Sequence, residues 1–300
     1  MSNTSFLHPR YWPTWGSIGL MRLSAWLPWR VKLAVGKTIG LLAWRFAKRR
    51  RHITETNLRL AFPELGETPR ARLVRDTFVA NGIGIVETAT GWCRDPEHLR
   101  HRVTFKGEEH MRRAMAQGKG ALIIGIHFST LDLGGALHSL FFPADVVYRP
   151  HDNALFERFM TRARSRIFGK AIDRYDLRGV VRRIKAGHAV WYSPDQDFGR
   201  EASVFAPFFG VEAATIKLTA KIARMTDAPV MPLIFHRNPD DRTYTLEYLP
   251  ALENFPSGDE VADAARVNAV IEAAIRRHPE QYLWLHRRFK TRPRGEAGFY

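Results

Sequence analysis

The run Ala121–Ile126 (ALIIGI) is apolar throughout, follows directly on Gly118-Lys119-Gly120, and stops at the polar segment His127-Phe128-Ser129-Thr130-Leu131-Asp132. A short apolar run bounded by turn residues reads as a buried strand. Similar strand signals recur at Asp145–Tyr148, His188–Ser193, Val230–His236 and Thr243–Leu249. Helical patterns separate them, at Ala154–Phe168, Leu177–Ala186, Thr215–Met225 and Asp259–Arg277. Two further helices precede the first strand. One opens at Thr68-Pro69, a cap followed by proline at the first helical position, and runs to about Trp92; the other covers Glu108–Gln117. Asn238-Pro239-Asp240-Asp241 is a turn, so the last two strands form a hairpin. Strands alternating with helices predict an α/β fold, with a mixed, largely parallel sheet flanked by helices. With 45% hydrophobic residues among 300, the chain has ample material for such a core and is not a disordered one.

The first sixty residues differ from the rest. They carry eleven Lys or Arg against one acid, Glu55, and so hold most of a net charge of +16. They also contain Trp12, Trp15, Trp26, Trp29 and Trp44, and close on Lys48-Arg49-Arg50-Arg51. Amphipathic indoles and snorkelling cations around apolar stretches suit a membrane interface. Trp15–Trp29 and Val31–Phe46 would lie in that interface or insert together, although Arg22, Arg30, Lys32 and Lys37 interrupt any clean span. No stretch approaches the ~18 uncharged apolar residues of an obvious spanning helix. A solvated helical hairpin with a basic face, or a nucleic-acid-binding arm, are the other readings of the same composition. The simplest division is an N-terminal membrane-associated helical segment over residues 1–60 and a catalytic domain over 61–300. A single cysteine, Cys93, excludes a disulfide framework and a multi-cysteine metal cluster.

Chemistry is expected where the first buried strand ends. Open α/β sheets place their sites at the carboxyl ends of strands, and His127 stands there. Five residues along one continuous helix would put His127 and Asp132 on different faces. A turn between them, with Asp132 on the following helix, lets the carboxylate reach the imidazole. That pair would be a general base and its orienter. His236 and Asp241 repeat the spacing but fall in the hairpin turn. Asp195-Gln196-Asp197 follows another strand and reads equally as a D-x-D metal site, a catalytic acid or a plain turn. Arg149 follows the strand ending at Tyr148, and Arg162, Arg164 and Arg166 alternate along a helix. A G-x-S-x-G nucleophile elbow is not present.

Taken together, the basic N-terminus, HFSTLD, VYRPHDN, WYSPDQDFG, SVFAPFFGVEAAT and PEQYLWLHRRFKTRP resemble the bacterial lipid A biosynthesis acyltransferases, the late lauroyl/myristoyl enzymes, in the order that family has them. The H-x4-D/E element is shared with glycerolipid acyltransferases generally. Asp132 stands where many lauroyl-branch members have Glu, and Gln196 where a His is common. The resemblance implies a glycerol-3-phosphate-acyltransferase-like fold and transfer of a fatty acyl group from an acyl carrier protein thioester to a lipid A precursor. The acceptor it implies is the 3-hydroxyl of an acyl chain on the glucosamine disaccharide. His127 and Asp132 would be catalytic, Arg149 and Arg164 would serve a substrate phosphate or the developing oxyanion, and Asp197 would orient one of these arginines or a sugar hydroxyl at the substrate site. A thioester donor calls for no metal or other cofactor. The implied partners are the carrier protein, the lipid precursor and anionic membrane lipids, with no nucleic acid. The implied location is the cytoplasmic side of the bacterial inner membrane. The competing readings are an acyltransferase of the same superfamily acting on a phospholipid or glycolipid, a metal-dependent sugar transferase, and a non-enzymatic basic binding protein.

Overall fold

In the computed structural model, which describes residues 6–300, Ala121–Ile124 lies at the middle of a seven-stranded sheet. The elements run α1 (Trp12–Trp26), α2 (Trp29–Phe46), α3 (Lys48–Ala61), α4 (Glu67–Cys93), β1 (Val103–Lys106), α5 (Glu108–Met115), β2 (Ala121–Ile124), α6 (Leu131–His138), β3 (Asp145–Tyr148) and α7 (Ala154–Ile167). They continue with β4 (Ala171–Asp173), α8 (Leu177–Lys185), β5 (Ala189–Tyr192), β6 (Ser203–Phe208), β7 (Val211–Ile216), α9 (Leu218–Thr226), β8 (Val230–Arg237), β9 (Tyr244–Tyr248) and α10 (Glu260–Arg277). The sheet order is β1-β9-β8-β2-β5-β3-β4. All neighbouring pairs are parallel except the β8–β9 hairpin, so the sheet is mixed and largely parallel, as the alternation of strand and helix signals predicts.

β2 is apolar at every position because both its faces are covered. Leu122 and Ile124 point into a core shared with α3, α4, α8, α9 and α10, while Ala121 and Ile123 point into a second core with α5 and α6. Alternate side chains of a strand face opposite sides, so a strand buried on both loses its polar alternation.

The segment Ser203–Ile216 departs from the expected pattern. It forms a separate antiparallel hairpin, β6–β7, which runs through residues read from the sequence as the start of a helix at Thr215. The connecting residues Phe209 and Gly210 both have positive φ (53° and 72°), which matches a two-residue hairpin loop of the twist strands favour. The aromatic rings of Phe62 and Trp284, 5.2 and 5.7 Å from that of Phe209, hold it in this unfavoured conformation.

The N-terminal helices pack on the body of the protein. Gly36 and Gly40 of α2 meet Gly82 of α4 so closely that a Cβ at any of the three would overlap backbone of the facing helix. Small residues spaced four apart permit this approach. Lys32 of α2 is buried and donates to Thr90 Oγ1 at 3.0 Å, its amine pushed down to about 8 by burial and by the nearby Arg94 and Arg102. Among the described residues no helix is long and apolar enough to cross a membrane. Trp12, Leu20, Leu23 and Trp26 of α1, and Leu42 and Phe46 of α2, remain exposed.

Candidate active site

Parallel register builds the centre of the site. Ile124 of β2 pairs with Tyr192 of β5, and three residues further along each chain stand His127 and Asp195. Their contact is two-point: the His127 backbone N–H donates to Asp195 Oδ2 at 2.9 Å, and Nδ1 lies 2.6 Å from Oδ1. The Asp195 side chain is fully buried. A carboxylate can only accept here, so Nδ1 carries the imidazole proton and Nε2 is left with its lone pair. Among the described residues Nε2 makes no hydrogen bond, and about a quarter of the His127 side chain (23%) reaches solvent. Burial pulls the imidazole pKa down, but the charge and hydrogen bond of Asp195, helped by the charge of Asp132, outweigh it and the net shift is upward. Asp195 is raised by burial and lowered more by His127, so its carboxyl is held below its ordinary value. The two partners agree in sign: each favours the charged form of the other.

This geometry corrects the expected pairing. Asp132 lies in the first turn of α6, yet its carboxylate bonds to Trp92 Nε1 at 3.1 Å and faces Arg164 Nη2 at 3.6 Å, not the imidazole. The turn His127–Thr130 does bring Asp132 near enough for its charge to act on His127, but the carboxylate that bonds to the ring is that of Asp195. Arg164 lies over the rings of Trp92 and Tyr148, 5.6 and 5.2 Å from their centroids. Its Nη1 is buried without a hydrogen-bond partner among the described residues.

The other sequence candidates separate. Asp197 is buried, but its carboxylate accepts from Thr291 N at 2.7 Å, Thr291 Oγ1 at 2.9 Å and Gly199 N at 2.9 Å. It anchors the C-terminal segment and contacts neither Arg149 nor Arg164, so of its two expected roles the orienting of an arginine is not seen. Arg149 is exposed at the carboxyl end of β3, 3.7 Å from Asp152. Asp195 and Asp197 face different partners, and among the described residues no three His, Cys, Asp or Glu side chains gather as a metal site would need. His236 stacks on His278 with ring centroids 3.8 Å apart, while Asp241 bonds to Arg237 at 3.2 Å. That second H-x4-D runs from the end of β8 into the hairpin turn, and its two side chains have separate partners.

The C-terminal segment completes the site from outside the sheet. Gln281 accepts at its carbonyl from Ser129 N at 2.7 Å, and Leu283 N donates to the His127 carbonyl at 3.0 Å. The Gln281 side chain bridges to Arg237 at both N and O, and Tyr282 OH donates to the Asp195 carbonyl at 3.1 Å. Residues 281–283 therefore pin the turn that carries His127 as an added strand would. On the other side Gly84 of α4 touches the Ser129 carbonyl so closely that a Cβ would overlap it. His286 lies beside this cluster and is pushed down to about 4, by burial and then by the charge of His127. It stays neutral and accepts from Asp197 N at 3.4 Å. Sequence reasoning placed PEQYLWLHRRF within a resemblance without assigning it a task. The available signal for Asp195 was its position, three residues past a strand like His127 itself.

His127, held by a buried carboxylate at the carboxyl edge of an α/β sheet and opening an H-x4-D turn, is arranged as a general base could be, and the family match shows the chain to be an acyltransferase. The chain belongs to the bacterial lipid A biosynthesis acyltransferases, whose family model matches residues 1–291. It is 43% identical over 299 residues to the lipid A biosynthesis lauroyltransferase of Escherichia coli, covering 99% of this chain and 98% of that one. It is 42% identical over 296 residues to the palmitoleoyltransferase of the same organism, covering 98% and 96%. The myristoyltransferase of E. coli is 27% identical over 294 residues, covering 97% and 91%.

Proposed function

We propose that this lipid A biosynthesis acyltransferase moves a fatty acyl chain, lauroyl or similar, from an acyl carrier protein thioester to a Kdo-lipid A precursor. The acceptor is the 3-hydroxyl of an acyl chain already on the glucosamine disaccharide. The observation that carries this reading is the unpartnered Nε2 of His127, with Nδ1 fixed by Asp195. Nε2 removes the hydroxyl proton as the oxygen attacks the thioester carbon. Asp195 stabilises the imidazolium directly and Asp132 does so through space. The thioester oxygen becomes anionic in the tetrahedral intermediate, and Arg164, with a buried and unpaired Nη1, is the group best placed to donate to it. Collapse breaks the C–S bond, and the proton on Nε2 passes to the departing thiolate. The donor is already activated, so the step calls on no metal or redox cofactor. Arg149, exposed above β3, suits a phosphate of either substrate, and Asp197 supports the site by holding the C-terminal segment.

In this reading residues 1–60 attach the protein to the cytoplasmic face of the inner membrane, and residues 61–300 carry the chemistry. The exposed Trp and Leu side chains of α1 and α2, set among Arg and Lys, support an interfacial attachment. Reaction logic supports the side: the carrier protein is cytosolic and the acceptor lies in the bilayer. The test is incubation of the purified enzyme with a radiolabelled acyl carrier protein thioester and the lipid precursor, with and without chelator. The expected result is label in the lipid in both cases. Label that appears only with free divalent metal, or no transfer from the thioester, would sink the proposal.

A further inference from the structure

A shallow, largely open groove of about 520 Å³ between α8 and α9 is lined by Arg178, Val181, Arg182, Lys185, Ala186 and Met225. Arg178, Arg182 and Lys185 fall at i, i+4 and i+7, so they share one face of α8. Lys221 and Arg224 of α9 are exposed and add two more charges. None of these five cations makes an ion pair or side-chain hydrogen bond among the described residues. Arg183 on the same helix, by contrast, is paired with Asp145 at 2.5 Å. No acid lines the groove, its floor is apolar, and Met225 is 42% exposed at one end. A flat solvated face needs none of the last three features. A shallow surface with an apolar floor between rows of unpaired cations fits an amphipathic helix with an acidic face.

The position fits a protein donor. α8 begins just past the carboxyl end of β4, the sheet edge that carries His127, and runs away from it, so Arg178 lies near that edge while Lys185, Ala186 and Met225 lie toward the opposite edge, where β5 and β8 begin. β4 is three strands from β2, which is about 14 Å at ~4.8 Å per strand. Between them on that edge stand exposed Arg149 and the exposed ring of Tyr175. The apolar surface suited to lipid lies elsewhere, on α1 and α2, which pack against α4 and α7. We infer that the α8–α9 groove docks an acidic helix of the protein that carries the acyl thioester, with its flexible arm leaving the Arg178 end of the groove and reaching along the sheet edge to His127. This rests on the proposed thioester donor.

The experiment compares two donors of one acyl chain, a thioester of acyl carrier protein and an uncharged thioester of N-acetylcysteamine. The variant combines Arg178→Glu, Arg182→Glu and Lys185→Glu, and a control carries Arg113→Glu on α5, which is exposed and unpaired among the described residues. The triple variant should lose about 10- to 100-fold in kcat/KM on the protein donor, the range over which electrostatic steering acts, and keep wild-type kcat/KM on the small one. The control should match wild type on both. Triple substitution by Gln should give an intermediate loss, and carries the test if the Glu variant does not fold. Equal losses on both donors, or none on either, overturn the inference. So does reduced binding to phosphatidylglycerol vesicles with donor kinetics unchanged, which would make the groove a lipid-binding surface. If the wild-type enzyme uses only the small thioester, the donor assignment itself fails, and that outcome is distinct from a wild type active on the carrier but indifferent to the groove.

Discussion

His127 and Asp195 answer each other because their strands are neighbours in register, and the consequence is a titration that activity should report. As the proposed base, His127 must be unprotonated, so the rate should rise with pH through a midpoint above the ordinary histidine value of ~6.5. Asp195→Asn removes the charge that favours imidazolium. Its midpoint should therefore move to lower pH, while the plateau rate falls because the charged intermediate loses its partner. A pH–rate profile of the two proteins checks this, and a midpoint unmoved or moved upward would detach Asp195 from the base. At this scale the sequence was half legible. His127 stood out because an apolar strand ended on it. Its partner did not, because spacing along the chain favoured Asp132, while the sheet brings residues 68 apart into contact. Strand order settles such pairings, and a single sequence does not print it.

Elements that the alternation of apolar runs made visible, β3, α7, α8 and β8 among them, fall within a residue or two of where the sequence put them. The β6–β7 hairpin did not announce itself, because its pairing depends on a turn with positive φ at Phe209 and on the α10 side chain of Asn268, which reaches Pro207 O and Thr215 Oγ1. The C-terminal segment was equally opaque, having no period of its own. Its hold on the site predicts a clear effect: Trp284 is completely buried, and Trp284→Ala should cost about 3–5 kcal/mol by denaturant titration. A loss under 1 kcal/mol would mean that the segment does not pin the turn as described. The α2–α4 crossing offers a second comparison. Gly40→Leu must push the helices apart and should destabilise by at least ~1–3 kcal/mol, whereas Gly16→Ala, with open space around it, should leave the melting temperature unchanged or raise it. Equal effects would show that the close approach is unimportant.

For the whole molecule, two basic surfaces differ in character, an aromatic one on α1–α2 and a grooved one on α8–α9. Charge counting located the first, since composition changes sharply after residue 60. The second required the fold, which alone shows that cations on two separate helices face one groove. If α1 and α2 sit in the lipid interface, Trp26→Ser with Phe46→Ser should release the enzyme into a ~1 M salt wash that leaves wild type on the membrane, since both side chains are 69% exposed and salt screens charge but not apolar contact. Full release of the wild type by salt alone would make the attachment electrostatic.

The most direct measurement is the rate of acyl transfer from a carrier protein thioester to the lipid A precursor by wild type and by His127→Ala, followed by the mass of the lipid product. The wild type should add one acyl chain. The variant, with the circular dichroism of the folded protein, should do so ~10²–10⁴ times more slowly, the loss that follows removal of a general base. A folded His127→Ala enzyme that transfers at the wild-type rate would contradict the account.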